Sequence, residues 1–271
     1  MIDTLVSDLD GTLLNAVKEI NDDDISMLHQ WVELGHHFLP ASGRNVEMIR
    51  NLAESYHFPC CDMIAYTGAQ LLINGETAAE YPIEEQELMN FYIGMSEFNE
   101  EIDYQFRGID NSSFGLHEKG LFYKKLVLGA QMKRSDVVQQ PLENYFSLDI
   151  KPEIMKIFFV ASDDNAVKMG HILHDRFDGI MTVSASGETY YELCSLKANK
   201  GIALTEYMRI KGIEPCSVAA VGDAENDISM LQAAGYPFAM QNADPCVKAY
   251  GKSAASVADV IRQCMKSNGE Q

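Results

Sequence analysis

Two aspartates, Asp8 and Asp10, stand one residue apart directly after the apolar run Thr4-Leu5-Val6, and Gly11 and Thr12 follow them. The run reads as a short buried strand, and the Gly-Thr pair as the turn that leaves it. In an open α/β sheet, ligands bind beyond the carboxyl ends of strands. A close acidic pair at such a place invites a hard cation. A carboxylate there can attack phosphorus and form an acyl phosphate, once a cation such as Mg²⁺ has offset its repulsion of the anion. The second carboxylate can give a proton to the leaving oxygen and later take one from water. The same two residues also suit a turn or a helix cap.

A second set lies near the far end of the chain. Val218-Ala219-Ala220-Val221 reads as another buried strand and runs into Gly222-Asp223-Ala224-Glu225-Asn226-Asp227. Ile228, Leu231 and Ala234 then have helical spacing. If the two strands are neighbours, Asp223 faces Asp8 and Asp10, and three oxygen ligands with waters suit Mg²⁺. Asn226 and Asp227 are placed to hydrogen-bond a ligand or to cap the following helix. Between the two ends, His37–Ala41 reads as a strand leading through Ser42-Gly43-Arg44 into a helix from about Asn45 to Tyr56. A hydroxyl and free N–H groups at such a turn form an anion site; a plain N-cap is the other reading of Ser42. Asn199-Lys200-Gly201 opens a helix carrying Ile202, Leu204 and Tyr207. A lysine at a helix start opposes the macrodipole, a conflict that a bound phosphate relieves. Lys197 is the second candidate for that part, and a solvated surface position is the alternative for both.

Taken in order, Asp8-Leu9-Asp10-Gly11-Thr12, Ser42-Gly43-Arg44, Lys200-Gly201 and Gly222-Asp223-Ala224-Glu225-Asn226-Asp227 resemble the haloacid dehalogenase superfamily of phosphohydrolases. The last string, continued by Ile228-Ser229-Met230-Leu231, looks most like the Cof-type branch with a type C2 cap. The resemblance implies a Mg²⁺-dependent phosphatase of small phosphorylated metabolites, sugar phosphates above all, working through an aspartyl-phosphate. It implies Asp8 as nucleophile and metal ligand, and Asp10 as general acid/base bound to metal through its backbone carbonyl. Ser42, Gly43, Lys200 and Asn226 would hold the phosphoryl group, Asp223 would complete the metal site, and Asp227 would be a supporting ligand there. Three departures stand out. Ser42 replaces the more usual Thr. Tyr66-Thr67-Gly68-Ala69 stands where the branch often has Asn-Gly-Ala. Met240-Gln241-Asn242-Ala243 has Gln where Gly is common.

Strand–helix alternation over residues 1–81 implies a doubly wound parallel, Rossmann-like sheet, with Gly35 closing the first helix and Asn74-Gly75 making a hairpin turn. From 82 to 194 the pattern changes: a helix Glu84 to Phe98, strand-like runs at Phe122–Leu128, Met155–Val160, Ile180–Val183 and Thr189–Leu193, and a helix Asn165 to Asp175. This block carries none of the motifs and reads as an inserted α+β module, the cap of the resemblance. The alternating pattern resumes over 195–271 and ends in a helix Ser256–Met265. Cap residues Arg107, His117, Lys119, Lys124 and Lys125 are polar candidates for substrate contact, with surface exposure the alternative. His171 and His174 have helical ligand spacing without a third ligand nearby.

Lys and Arg number 21 against 40 Asp and Glu, a net charge of −19. This excludes nucleic acid and anionic membrane as expected partners. Surface charge is screened over about 8 Å, so it does not bar a phosphorylated substrate from a cation-bearing pocket. No stretch approaches the roughly 18 apolar residues of a spanning helix, and no secretion signal is visible. The six scattered cysteines form no C-x-x-C pair, so buried free thiols in a reducing cytoplasm are expected. A monomer or weak homodimer is expected. Two other functions fit the residues: a phosphotransferase or phosphomutase using the same aspartyl-phosphate, and a non-catalytic phosphometabolite-binding protein.

Overall fold

A computed structural model describes residues 1–117, 140–186 and 189–270. Its elements, in chain order, begin with β1 (Thr4–Ser7), α1 (Asp22–Glu33), β2 (His37–Pro40), α2 (Val46–Tyr56), β3 (Met63–Ala65), β4 (Gln70–Ile73) and β5 (Glu76–Glu80). There follow α3 (Glu85–Met95), β6 (Ile102–Gly108), β7 (Ser113–Gly115), β8 (Gln140–Pro141), α4 (Leu142–Ser147), β9 (Ile154–Ala161), α5 (Ala166–Phe177), β10 (Met181–Ala185) and β11 (Tyr190–Ser195). The last are α6 (Lys200–Lys211), β12 (Val218–Gly222), α7 (Ile228–Ala233), β13 (Tyr236–Met240), β14 (Lys252–Ala254) and α8 (Val257–Asn268). The chain divides into two compact units, Met1–Glu80 with Ala198–Gln271, and Tyr81–Lys197.

The first unit is built on a parallel sheet of order β14-β13-β12-β1-β2. Its central strands are apolar because helices cover both faces of such a sheet: Leu5, Val6, Ala219, Ala220 and Val221 are fully buried. β1 lies between β12 and β2, with Ser7 opposite Val221 on one side and Pro40 on the other. All three strands therefore end together, and the residues just past them (Asp8, Ser42, Asp223) share one edge. The helices start where polar side chains satisfy free N–H groups. Asn45 accepts from Met48 N–H at the start of α2, Asn199 from Ile202 N–H at α6, and Ser256 from Asp259 N–H at α8. Asn45, and not Ser42, is thus the cap of α2. β3 leaves the parallel sheet after a single bridge, Ala41 to Ile64, and forms an antiparallel sheet with β4 and β5. The β4–β5 hairpin turns through Asn74 and Gly75, both with positive φ, as Asn-Gly turns do.

The second unit is a mixed sheet of order β10-β11-β9-β6-β7-β8, antiparallel except for the β7–β8 pair. On β6 the apolar Ile102, Tyr104 and Phe106 alternate with Asp103, Gln105 and Arg107. The apolar set enters a core with Phe91, Phe159 and Phe177, where Phe91 meets the Tyr104 ring edge-on at 5.0 Å, a favoured aromatic geometry. Phe91 is therefore core, and Tyr92 and Phe98 pack against it partly buried. α3 ends at Met95, and a tight turn covers Ser96–Phe98. The strand expected at Phe122–Leu128 lies outside the described residues, as do Lys119, Lys124 and Lys125. His117 Nδ1 sits 3.7 Å from Asp103 Oδ1, and His174 pairs with Asp178. Among the described residues no helix is long and apolar enough to cross a membrane. The cysteines differ from expectation: Cys194 and Cys264 are buried, whereas Cys61, Cys216 and Cys246 are exposed. These three sit in turns and loops, where nothing packs over them.

Candidate active site

Asp8 leaves β1 with its N–H bonded to the Val221 carbonyl (3.0 Å), so the β1–β12 pairing delivers it beside Asp223. Gly11 follows with φ +98°, and a Cβ there would lie 2.3 Å from Asp223 Oδ2. Only glycine both takes that turn and leaves room for the second carboxylate. Thr12 Oγ1 donates to Asp223 Oδ1 (2.7 Å), and Asn242 Nδ2 to the Gly11 carbonyl (2.9 Å).

Lys200 is the centre of the arrangement. Its first-turn position on α6 is fully buried, and Nζ donates to Asp8 Oδ1 and Asp227 Oδ1, each at 2.6 Å. Lys197, the other candidate, is exposed and near Glu84. Asp227 spends its second oxygen on the backbone N–H groups of Asp223 (2.9 Å) and Ala224 (3.0 Å). It thereby orients both Lys200 and the Asp223 loop. Asp8 Oδ2 and Asp223 Oδ2 accept no hydrogen bond among the described residues. Ligand oxygens of Asp8, Asp223 and Asp227 all lie within 4.8 Å of one another, the one such acidic group among the described residues.

Two carboxylates thus hold one ammonium and a third stands beside them, a formal excess of two negative charges. Burial pushes the Asp8 carboxyl well above its ordinary value, against the pull of Lys200 and with the push of Asp227 and Asp223. Burial likewise pushes Asp223 up to about 6, although Thr12 opposes it. Burial would strip the Lys200 proton, but Asp227 and Asp8 hold it on. All-oxygen donors carrying two uncompensated charges fit a hard divalent cation, with Asp8 and Asp223 as the pair whose oxygens are open to it.

The position of the Asp10 side chain corrects the expected acidic triad. Its carboxylate turns away from Asp8 and Asp223 and is gripped by Arg44, Nε to Oδ2 and Nη2 to Oδ1 at 2.8 Å each, and by Lys18 Nζ at 2.9 Å. A planar guanidinium matches a carboxylate in two bonds, and this outcompetes a crowded acidic neighbourhood. Burial raises the Asp10 pKa, but Arg44 and Lys18 outweigh it and hold the group well below the usual carboxylate range.

Ser42 leaves the sheet beside Asp8, since the Ala41 N–H bonds the Ser7 carbonyl (2.8 Å). Its Oγ accepts from the Arg44 N–H (3.2 Å) across the Gly43 bend. Asn226 lies one residue before Asp227, and its buried Oδ1 accepts no hydrogen bond among the described residues. Arg44, Lys18, Thr12 and Asn242 were given no role by the sequence. Arg44 and Thr12 at least lie inside the recognised strings, whereas Lys18 gave no signal.

Protons compete with a divalent ion for Asp223. Its folded-state value of about 6 exceeds the ordinary 3.8, so the metal-free fold holds this proton more tightly than the unfolded chain. That contribution to stability is lost as pH rises from about 4 to 6. The rise in melting temperature on adding Mg²⁺ is therefore expected to be larger at pH 7 than at pH 5. Equal shifts in paired thermal scans would contradict this.

The chain is 24% identical over 98% of its length to the 5-amino-6-(5-phospho-D-ribitylamino)uracil phosphatase YbjI of Escherichia coli, of which it covers 97%. It is 28% identical to a phosphoglycolate phosphatase of Methanoculleus marisnigri, covering 90% of this chain and 86% of the other. The solved structure of a haloacid dehalogenase-like hydrolase from B. subtilis shares the fold with a TM-score of 0.79, at 20% identity over 98% of this chain and 99% of that one. Residues 5–259 match the model of the haloacid dehalogenase-like hydrolases, and the chain belongs to that family.

Proposed function

We propose that the protein is a Mg²⁺-dependent phosphatase of small phosphorylated metabolites, sugar phosphates and related monoesters, that works through an aspartyl-phosphate on Asp8. The observation that carries this reading is the cluster of three carboxylates, two of them held by a single buried ammonium. The relatives named for phosphorylated ribityl and glycolate compounds support small monoesters as the substrate class.

Asp8 and Asp223 would hold the ion, with Asp227 bracing them and the Asp10 backbone as a further oxygen. When bound, Mg²⁺ supplies charge neutralisation and orients the phosphoryl oxygens. A carboxylate oxygen of Asp8 attacks phosphorus, and the P–O bond to the leaving group breaks. Lys200, Ser42 and Gly43 hold the transferred group, Lys200 offsetting its charge at contact range. In the second step water attacks phosphorus and releases phosphate and the Asp8 carboxylate. Asp10, kept ionised by Arg44 and Lys18, is in the state that accepts that water's proton. The proton it takes from that water is the one it gives to the leaving oxygen of the next ester, for which the Asp10 carboxyl must stand off Arg44.

The test is a panel of phosphate monoesters assayed for free phosphate with Mg²⁺ and with a chelator. Metal-dependent phosphate release from sugar-type esters is the expected result. An isomeric sugar phosphate with no free phosphate would assign the chain to transfer between hydroxyls, and no turnover of any ester would overturn the proposal.

A further inference from the structure

We infer that the left-handed turn Tyr66–Thr67–Gly68 is the brace that sets the Ser42 loop against the start of α6, and that Thr67 is a positioning residue of the phosphoryl pocket. This rests on reading Ser42 and Lys200 as the groups that hold phosphate. Three successive residues here have positive φ: Tyr66 at 49°, Thr67 at 59° and Gly68 at 100°. Glycine takes this region freely, and asparagine with little penalty; a β-branched residue there is an outlier. Such a conformation persists only where its surroundings enforce it, and it concentrates at functional sites. This is no surface turn, since Tyr66 is 3% and Thr67 2% exposed.

The surroundings that enforce it are the two halves of the anion site. On one side, Tyr66 N–H donates to the Arg44 carbonyl and Thr67 N–H to the Ser42 carbonyl, both at 2.9 Å. Ser42 N–H in turn donates to the Ile64 carbonyl at 2.9 Å. The Ser42–Arg44 bend is thereby stitched to residues 64–67 on both its N–H and its carbonyl side. On the other side, a Cβ on Gly68 would lie 2.2 Å from the Asn199 carbonyl carbon and oxygen and 2.8 Å from Lys200 N. The turn is therefore pressed onto the cap of α6, whose first residue delivers the ammonium to Asp8. One strained stretch of backbone thus spaces the hydroxyl from the ammonium. A stiff β-branched residue at its centre admits fewer alternative backbone states than glycine or asparagine. Thr67 accepts local strain and gains a fixed pocket.

The full chain carrying Thr67→Gly and, separately, Thr67→Asn tests this. Binding of inorganic phosphate in the presence of Mg²⁺ is measured by calorimetry. KM and kcat are measured for an ester that the unmodified protein hydrolyses, and melting temperature by thermal scan. Thr67→Gly relieves the strain but removes a buried side chain and loosens the unfolded chain, so its melting temperature is expected to fall by no more than a few degrees. Its phosphate Kd and its KM rise about tenfold, with a smaller fall in kcat, because misplaced binding groups lose alignment. Thr67→Asn, which populates the left-handed region with less freedom than glycine, falls between, at about threefold. Phosphate affinity equal to the unmodified protein in whichever variants fold overturns the inference. So does a loss of binding that simply tracks a loss of melting temperature. Unmodified protein that neither binds phosphate nor hydrolyses any ester overturns instead the reading of the pocket itself, and the brace with it.

Discussion

Asp8→Asn is expected to lose phosphate release by at least about 10³-fold, since an amide cannot serve as the covalent nucleophile. The same change is expected to leave the metal-free melting temperature unchanged or raised. Burial and two neighbouring carboxylates disfavour the ionised form of Asp8, and Asn removes that charge while Asp227 still holds Lys200 at 2.6 Å. A catalytic defect without a folding defect is the signature. Initial rates and thermal scans on one preparation read both. Turnover within tenfold of the unmodified protein would remove Asp8 from the reaction.

Lys200→Met has the second largest expected effect, and the opposite signature. Its ammonium is fully buried and, among the described residues, is the only cation bonded to Asp8 and Asp227. Removing one partner of a buried ionic set strands the other and costs about 3–5 kcal/mol, roughly 6–20 °C in melting temperature for a chain of this size. The stranded carboxylates are relieved by protonation, so the loss is greater at pH 8 than at pH 5. Mg²⁺ restores part of it by neutralising the same carboxylates. Phosphate release falls as well, because the transferred group loses its contact charge. A variant as stable as the unmodified protein at pH 8 without metal would show that Lys200 does not hold the cluster together.

The contrast between Asp8 and Asp10 shows which parts of the site the sequence could carry. Asp8 and Asp223 each follow a short apolar strand, and a parallel sheet with aligned strand ends must bring them to one edge. Their proximity follows from pattern alone. Lys200 betrayed itself through a local conflict, a cation at a helix start, and the structure resolves it with two buried carboxylates. Asp10 carries the same residue type as Asp8 two positions later, yet its side chain faces the other way. Which way it faces depends on Arg44 and Lys18 arriving from separate loops, and no periodicity encodes that meeting. The cap of α2 was legible in principle, since Asn45 immediately precedes the helix and asparagine is as good a cap as serine.

In the second unit, β6 displayed its alternation of Ile102, Tyr104 and Phe106 with polar neighbours, a period-2 signal that the helix before it obscured. β13 contains Pro237 in its second position, a residue that argues against a strand until its place near the strand's start is known. β8 spans two residues, too few for any period to register. The exposed cysteines are a different kind of miss, because thiol burial depends on what packs over a loop rather than on composition.

The central claim is that Asp8 and Asp223 share one divalent ion next to the nucleophilic oxygen. Anomalous diffraction from crystals grown with Mn²⁺ in place of Mg²⁺ tests it most directly. The expected result is a single strong peak at about 2.1 Å from a carboxylate oxygen of each residue, with Lys200 still on Asp8 and Asp227. A peak bound elsewhere, or an ordered site in which these two carboxylates share no ion, would contradict the account.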